Sequence, residues 1–82
     1  MTQISLERMY QNVTTFLHSL GMTNVLFSIA WNVTRKNGKV TLSATRNNNT
    51  FIMVLNYWLY EDHVSFNLLL GENEIYHNEI EF

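Results

Sequence analysis

His18, His63 and His77 are the only side chains in this 82-residue chain whose ordinary titration suits proton transfer near neutral pH. His77, Glu79 and Glu81 alternate, so an extended strand places all three on one face. Pairing that strand with the one before it brings Glu81 near His63. Two imidazoles and two carboxylates form a donor set that suits a divalent metal. The same charges also suit an edge strand, where they discourage sheet-to-sheet association. His18 falls at the margin of a helical stripe, and His63 follows Glu61-Asp62 in a turn, where solvation accounts for it. No catalytic residue, metal ligand set or cofactor site is therefore assigned.

Other chemistries lack their residues. There is no cysteine, hence no disulfide and no thiolate zinc site. Three scattered glycines cannot build a phosphate-cradling loop. Neither a nucleophile elbow nor a zinc-protease helix is present. The sequence reads as non-enzymatic.

Charge is the second source of chemistry. Arg35, Lys36 and Lys39 cluster with no acid among them, and Arg46 follows. Such a cluster suits phosphates or an acidic protein surface. Residues 1–50 hold all five basic residues and a single acid, Glu7, for a charge of +4. Residues 51–82 hold six acids and no Lys or Arg, for −6. The net charge of −2 and the lack of a recognition helix argue against nucleic acid as the main partner.

The elements that must position these groups are legible. Leu6, Met9, Tyr10, Val13, Phe16, Leu17 and Leu20 recur at three- and four-residue spacing, which predicts a helix over about 3–20. Thr2 or Ser5 suits its N-cap, with Glu7 in the first turn, and Gly21 suits the left-handed residue after it. Val25, Phe27, Ile29, Trp31 and Val33 then alternate with Leu26, Ser28, Ala30, Asn32 and Thr34. Val40, Leu42 and Ala44 do the same beyond Asn37-Gly38, the preferred two-residue hairpin turn. That turn predicts a hairpin over Val25 to Arg46 that pairs Val33 with Leu42 and Trp31 with Ala44, with the basic cluster at its tip.

Arg46 to Thr50 is asparagine-rich and predicts a turn. Phe51 to Tyr60 is apolar on both faces, as in a central strand. A turn at Glu61-Asp62 pairs Leu59 with Val64, Tyr57 with Phe66 and Leu55 with Leu68. Gly71-Glu72-Asn73 turns into a last strand. The expected fold is one α+β domain over residues 1–82. An N-terminal helix packs on a strongly twisted five-stranded antiparallel meander, in the order α-β-β-β-β-β, with strands near 25–35, 39–46, 50–60, 64–70 and 74–82.

Five strands span roughly 19 Å, whereas a helix is about 10 Å wide. One helix covers two or three of them unless the sheet coils. The opposite face adds Leu26, Ala30, Ile52, Val54, Trp58, Tyr60, Leu69 and Ile75. A contiguous apolar patch of this kind marks an interaction site. The expected function is a small protein–protein interaction module: an adaptor, inhibitor or immunity-type protein, homodimeric or bound to another protein. Ile52, Val54, Trp58, Tyr60 and Leu69 supply affinity, and Arg35, Lys36 and Lys39 orientation. The alternatives are a weak nucleic-acid binder using the basic tip, and a small-ligand binder lined by Met9, Phe16, Met53 and Tyr57. No basic and apolar leader opens the sequence and no apolar run suits a bilayer, so no membrane partner and a cytoplasmic location are expected.

Overall fold

The computed structural model describes residues 2–28 and 36–82. Helix α1 runs Thr2–Ser19, followed by β1 (Thr23–Phe27), β2 (Asn37–Arg46), β3 (Asn49–Leu59), β4 (His63–Leu70) and β5 (Asn73–Glu81). The strands form one antiparallel sheet in sequential order, with α1 packed on one face. The α+β meander expected from the alternation is the fold observed.

The end of α1 follows from its sequence. Gly21 takes a left-handed φ of 79°. Its amide donates to His18 O, and the Met22 amide donates to Leu17 O, both at 3.0 Å. This is the Schellman arrangement, and its accompanying apolar contact falls to Leu17 and Met22, both buried. The other end differs from expectation. Because the helix begins at Thr2, its first turn holds no acid, and Glu7 lies in the second turn.

β2 and β3 form the longest ladder, paired without a break from Asn37↔Trp58 to Arg46↔Asn49. Asn47 and Asn48 close it, with φ of 52° and 65°. Two left-handed residues in a two-residue loop make the type I′ turn, whose twist matches the strands it joins. β3 and β4 pair Leu55↔Leu68, Tyr57↔Phe66 and Leu59↔Val64, as the turn at Glu61-Asp62 predicts. β5 pairs His63↔Glu81 and Leu68↔Tyr76, then slips by one so that Leu69 meets Glu74. The extra residue is Ile75. The bulge turns both Ile75 and Tyr76 to the core side, so Ile75 packs with the core and is not part of the opposite apolar patch.

The first hairpin differs from the sequence expectation. Asn37 and Gly38 do not turn. Neither has positive φ, and both lie in β2, opposite Trp58 and Tyr57. Gly38 serves a close approach instead: a Cβ there would meet Tyr57 Oη at 2.8 Å and its ring carbons at 3.0 Å. A strand glycine covered by a cross-strand aromatic ring explains the residue as fully as a turn would. β1 consequently pairs six residues away from the expected register, with Phe27↔Leu42 and Leu26↔Ser43. Val25 and Phe27 still pack with the core and Leu26 still lies exposed, as an even shift of register requires. The Ser28 amide donates to Thr41 O, at 2.7 Å. The expected strand positions Ile29 to Arg35 lie outside the described residues.

The inner face needs no partner. Val40, Leu42, Ala44, Met53, Leu55, Tyr57, Val64, Phe66 and Leu68 are all buried with Leu6, Met9, Val13 and Leu17 of the helix. One helix suffices because the sheet coils around it. On one flank the Tyr10 ring packs against Phe27 of β1, centroids 4.9 Å apart. On the other flank Phe16 stacks on Tyr76 of β5 at 4.1 Å. The two edge strands thus reach opposite sides of the same helix. Asn12 extends the β5 contact, its Oδ1 accepting from Tyr76 Oη at 2.5 Å and from Asn78 Nδ2 at 3.2 Å.

Candidate functional site

The outer face of the sheet carries Lys39, Ile52, Val54, Trp58 and Leu69 of the residues expected to bind a partner, and the registers order them into rows. The first row is Leu26, Ser43 and Ile52. The second is Thr41, Val54, Leu69 and Glu74, and the third Lys39, Asn56, Asn67 and His77. The fourth is Asn37, Trp58, Ser65 and Glu79. The last is His63 beside Glu81.

Ile52 and Leu26 are 60% and 67% exposed, Trp58 40% and Tyr60 51%. Val54 and Leu69 are half-buried neighbours on adjacent strands. Between this aliphatic cluster and Trp58 runs a polar row in which Asn56 Nδ2 donates to Asn67 Oδ1 at 3.1 Å. The face is therefore two apolar clusters divided by paired amides rather than one continuous patch. Tyr60 lies just past β3, its ring stacked on His63 with centroids 4.6 Å apart. Ala30 and Arg35 lie outside the described residues. Lys39 is exposed within β2, and Lys36 is exposed in the bend that precedes it. Lys36 O accepts the Leu59 amide at 2.5 Å.

The acidic side of the face is β5. The bulge at Ile75 puts Glu74 and His77, three residues apart, on one face, where Glu74 Oε2 lies 3.4 Å from His77 Nδ1. Asp62 Oδ1 lies 2.7 Å from His63 Nδ1, and this hydrogen bond is the main reason the Asp62 carboxyl is held below the usual carboxylate range. His63 and His77 are each engaged by one carboxylate, and among the described residues no three metal-ligating side chains converge. The donor set suggested by His63, His77, Glu79 and Glu81 is not assembled.

The grooves are open to solvent. One of about 590 Å³ lies between helix and β1, lined by Glu7, Tyr10, Thr14, His18 and Phe27. Burial, with a smaller contribution from Tyr57, pushes the Tyr10 hydroxyl up, so it stays protonated at neutral pH. A second, of about 540 Å³, is lined by Ser65, Phe66, His77, Asn78 and Glu79. Of the side chains expected to line a ligand pocket, Met9, Met53 and Tyr57 are buried members of the core, and Phe16 stacks on Tyr76.

The Asn56–Asn67 pair was accessible to sequence reasoning, since the register that pairs Tyr57 with Phe66 also pairs these two. The Glu74–His77 contact was not, because no glycine or proline marks the bulge that creates it. No helix among the described residues is long and apolar enough to cross a membrane. Comparison of the chain with protein-family profiles, curated proteins and solved structures finds no match.

Proposed function

We propose that this protein is a small non-enzymatic interaction module that occludes or scaffolds a protein partner through the outer face of its sheet. The observation that carries this reading is Trp58. It stands 40% exposed near the end of β3, paired with Asn37 on one side and Ser65 on the other, with Val54 and Leu69 two rows away. A tryptophan held on a rigid strand loses little freedom when covered, and aromatic residues dominate the affinity of protein interfaces. The charged flanks, Lys39 on β2 and Glu74 and Glu79 on β5, would set orientation. Nucleic-acid binding ranks second, because the lysine shares its face with three glutamates that repel phosphate.

The test compares wild type with Trp58→Ser in affinity capture from the host, read by quantitative mass spectrometry alongside the thermal midpoint of each protein. A protein recovered stoichiometrically by wild type and lost by a still-folded Trp58→Ser supports the reading. Equal recovery by both ends it.

A further inference from the structure

We propose that the occupant of this outer face is a second copy of the same chain, docked about a twofold axis running along the strands between β3 and β4. The inference rests on the outer face being the interaction surface, and it adds the partner and the geometry. In a twofold interface each patch must complement itself. An axis along the strands lays β3 on the partner's β4 and β2 on the partner's β5. Row then meets row, and Val54 of each copy falls on Leu69 of the other. Trp58 falls on Ser65, and Asn56 on Asn67, whose amides retain donors and acceptors for a bond across the interface. Lys39 falls at His77, between Glu74 and Glu79 in the neighbouring rows.

The charge split of the chain selects this axis over the other one that a face-to-face pair allows. An axis running across the strands would stack β5 on β5 and bring Glu74, Glu79 and Glu81 of both copies together. Edge-to-edge pairing of β5 with β5 would crowd the same glutamates along one ladder. Only the axis along the strands sets the basic strand against the acidic one at both ends of the interface.

The coiling of the sheet agrees with this division of labour. Because β1 and β5 curl towards the helix, the outer face is convex across the strands, and two such faces touch first along β3 and β4. Those strands carry the apolar residues, Val54, Trp58 and Leu69. The gap widens towards β2 and β5, where long lysine and glutamate side chains can span it. An apolar centre with a charged rim is the usual anatomy of a protein interface. Sheets packed face to face keep their strand directions within about 30° of each other, which this axis permits.

Charge exchange in mixed samples tests the geometry. Lys39→Glu alone places three glutamates together at each rim, and Glu74→Lys/Glu79→Lys alone places three lysines there. An equimolar mixture of the two restores opposite charges at both rims. Sedimentation equilibrium should show a wild-type dimer, association at least about tenfold weaker in each variant alone, and recovery in the mixture. Val54→Arg in both chains of the mixture should abolish that recovery, which excludes mere attraction between oppositely charged proteins. Exposed charges make these variants safe for folding, and far-ultraviolet circular dichroism checks it. A wild type that stays monomeric to about 1 mM overturns the proposal. So does a dimer that survives either charge variant, a mixture that fails to recover, or recovery that survives Val54→Arg. Host capture that still depends on Trp58 while the protein remains monomeric would leave the interaction module standing with a different partner. Capture indifferent to Trp58 would remove both.

Discussion

The two faces of this sheet are made by the same strands and share the same pleat, yet they obey different rules. On the inner face Val40, Leu42, Ala44, Met53, Leu55, Tyr57, Val64, Phe66 and Leu68 are uniformly apolar and buried. On the outer face aliphatic, amide, aromatic and charged rows succeed one another, and several large apolar side chains stay exposed. The inner face is closed by one helix and by curvature. The outer face is patterned in a way that folding alone does not require. Stability accounts for the first pattern, and the second is the one on which the proposed interaction rests.

Substitutions on the two faces should therefore separate cleanly. Phe66, fully buried beneath the helix, should show the largest loss: Phe66→Ala should destabilise by about 3–5 kcal/mol in urea unfolding. Gly38→Val comes next, because its side chain would enter the space of the Tyr57 ring, and a loss of about 1–3 kcal/mol is expected. Combining it with Tyr57→Ala should cost less than the two losses added together, a coupling that a turn glycine would not show. At the helix rim, Asn12→Ala should cost about 1–2 kcal/mol by leaving Tyr76 and Asn78 without their acceptor. Trp58→Ser should change stability least, by about 1 kcal/mol or less for the isolated subunit, the worth of its cross-strand packing. A loss there that rivals Phe66→Ala would mean that the outer face belongs to the core, and the contrast between the faces would collapse.

Two asparagine dipeptides show how far local reasoning reaches. Asn47-Asn48 and Asn37-Gly38 both suit a type I′ turn, and Asn37-Gly38 suits it better by propensity. Only Asn47-Asn48 turns. The outcome depends on Tyr57, far away in sequence, which needs a residue without a side chain opposite its ring. Propensity cannot weigh that contact until β2 and β3 are aligned. By contrast, the turn at Glu61-Asp62 needed no distant information, because the short loop itself sets Leu59 opposite Val64 and the pairs that follow. The faces of the residues in β2, β3 and β4 were legible, and so were those of Val25 to Phe27, since pleat parity survives an even-numbered shift of register. The outer residues Ile52, Val54, Trp58 and Leu69 could be placed together from sequence for that reason. Their division by Asn56 and Asn67 could also have been read, but required writing out the face opposite the core.

The bulge in β5 gives the chain one point of tolerance to deletion. Removing Ile75 would join Glu74 directly to Tyr76, and Leu69↔Glu74 and Leu68↔Tyr76 would become consecutive pairs of an unbroken ladder. Both halves of the strand would keep their faces, at the cost of one partly buried side chain. Removing Glu79 instead would invert Ile80 and Glu81, exposing the apolar side chain and driving the carboxylate towards the core. A scan of single-residue deletions along β5 should therefore spare a folded protein at one position and lose it at the positions that follow, so that insertion and deletion, rather than substitution, reveal where the strand keeps its spare residue.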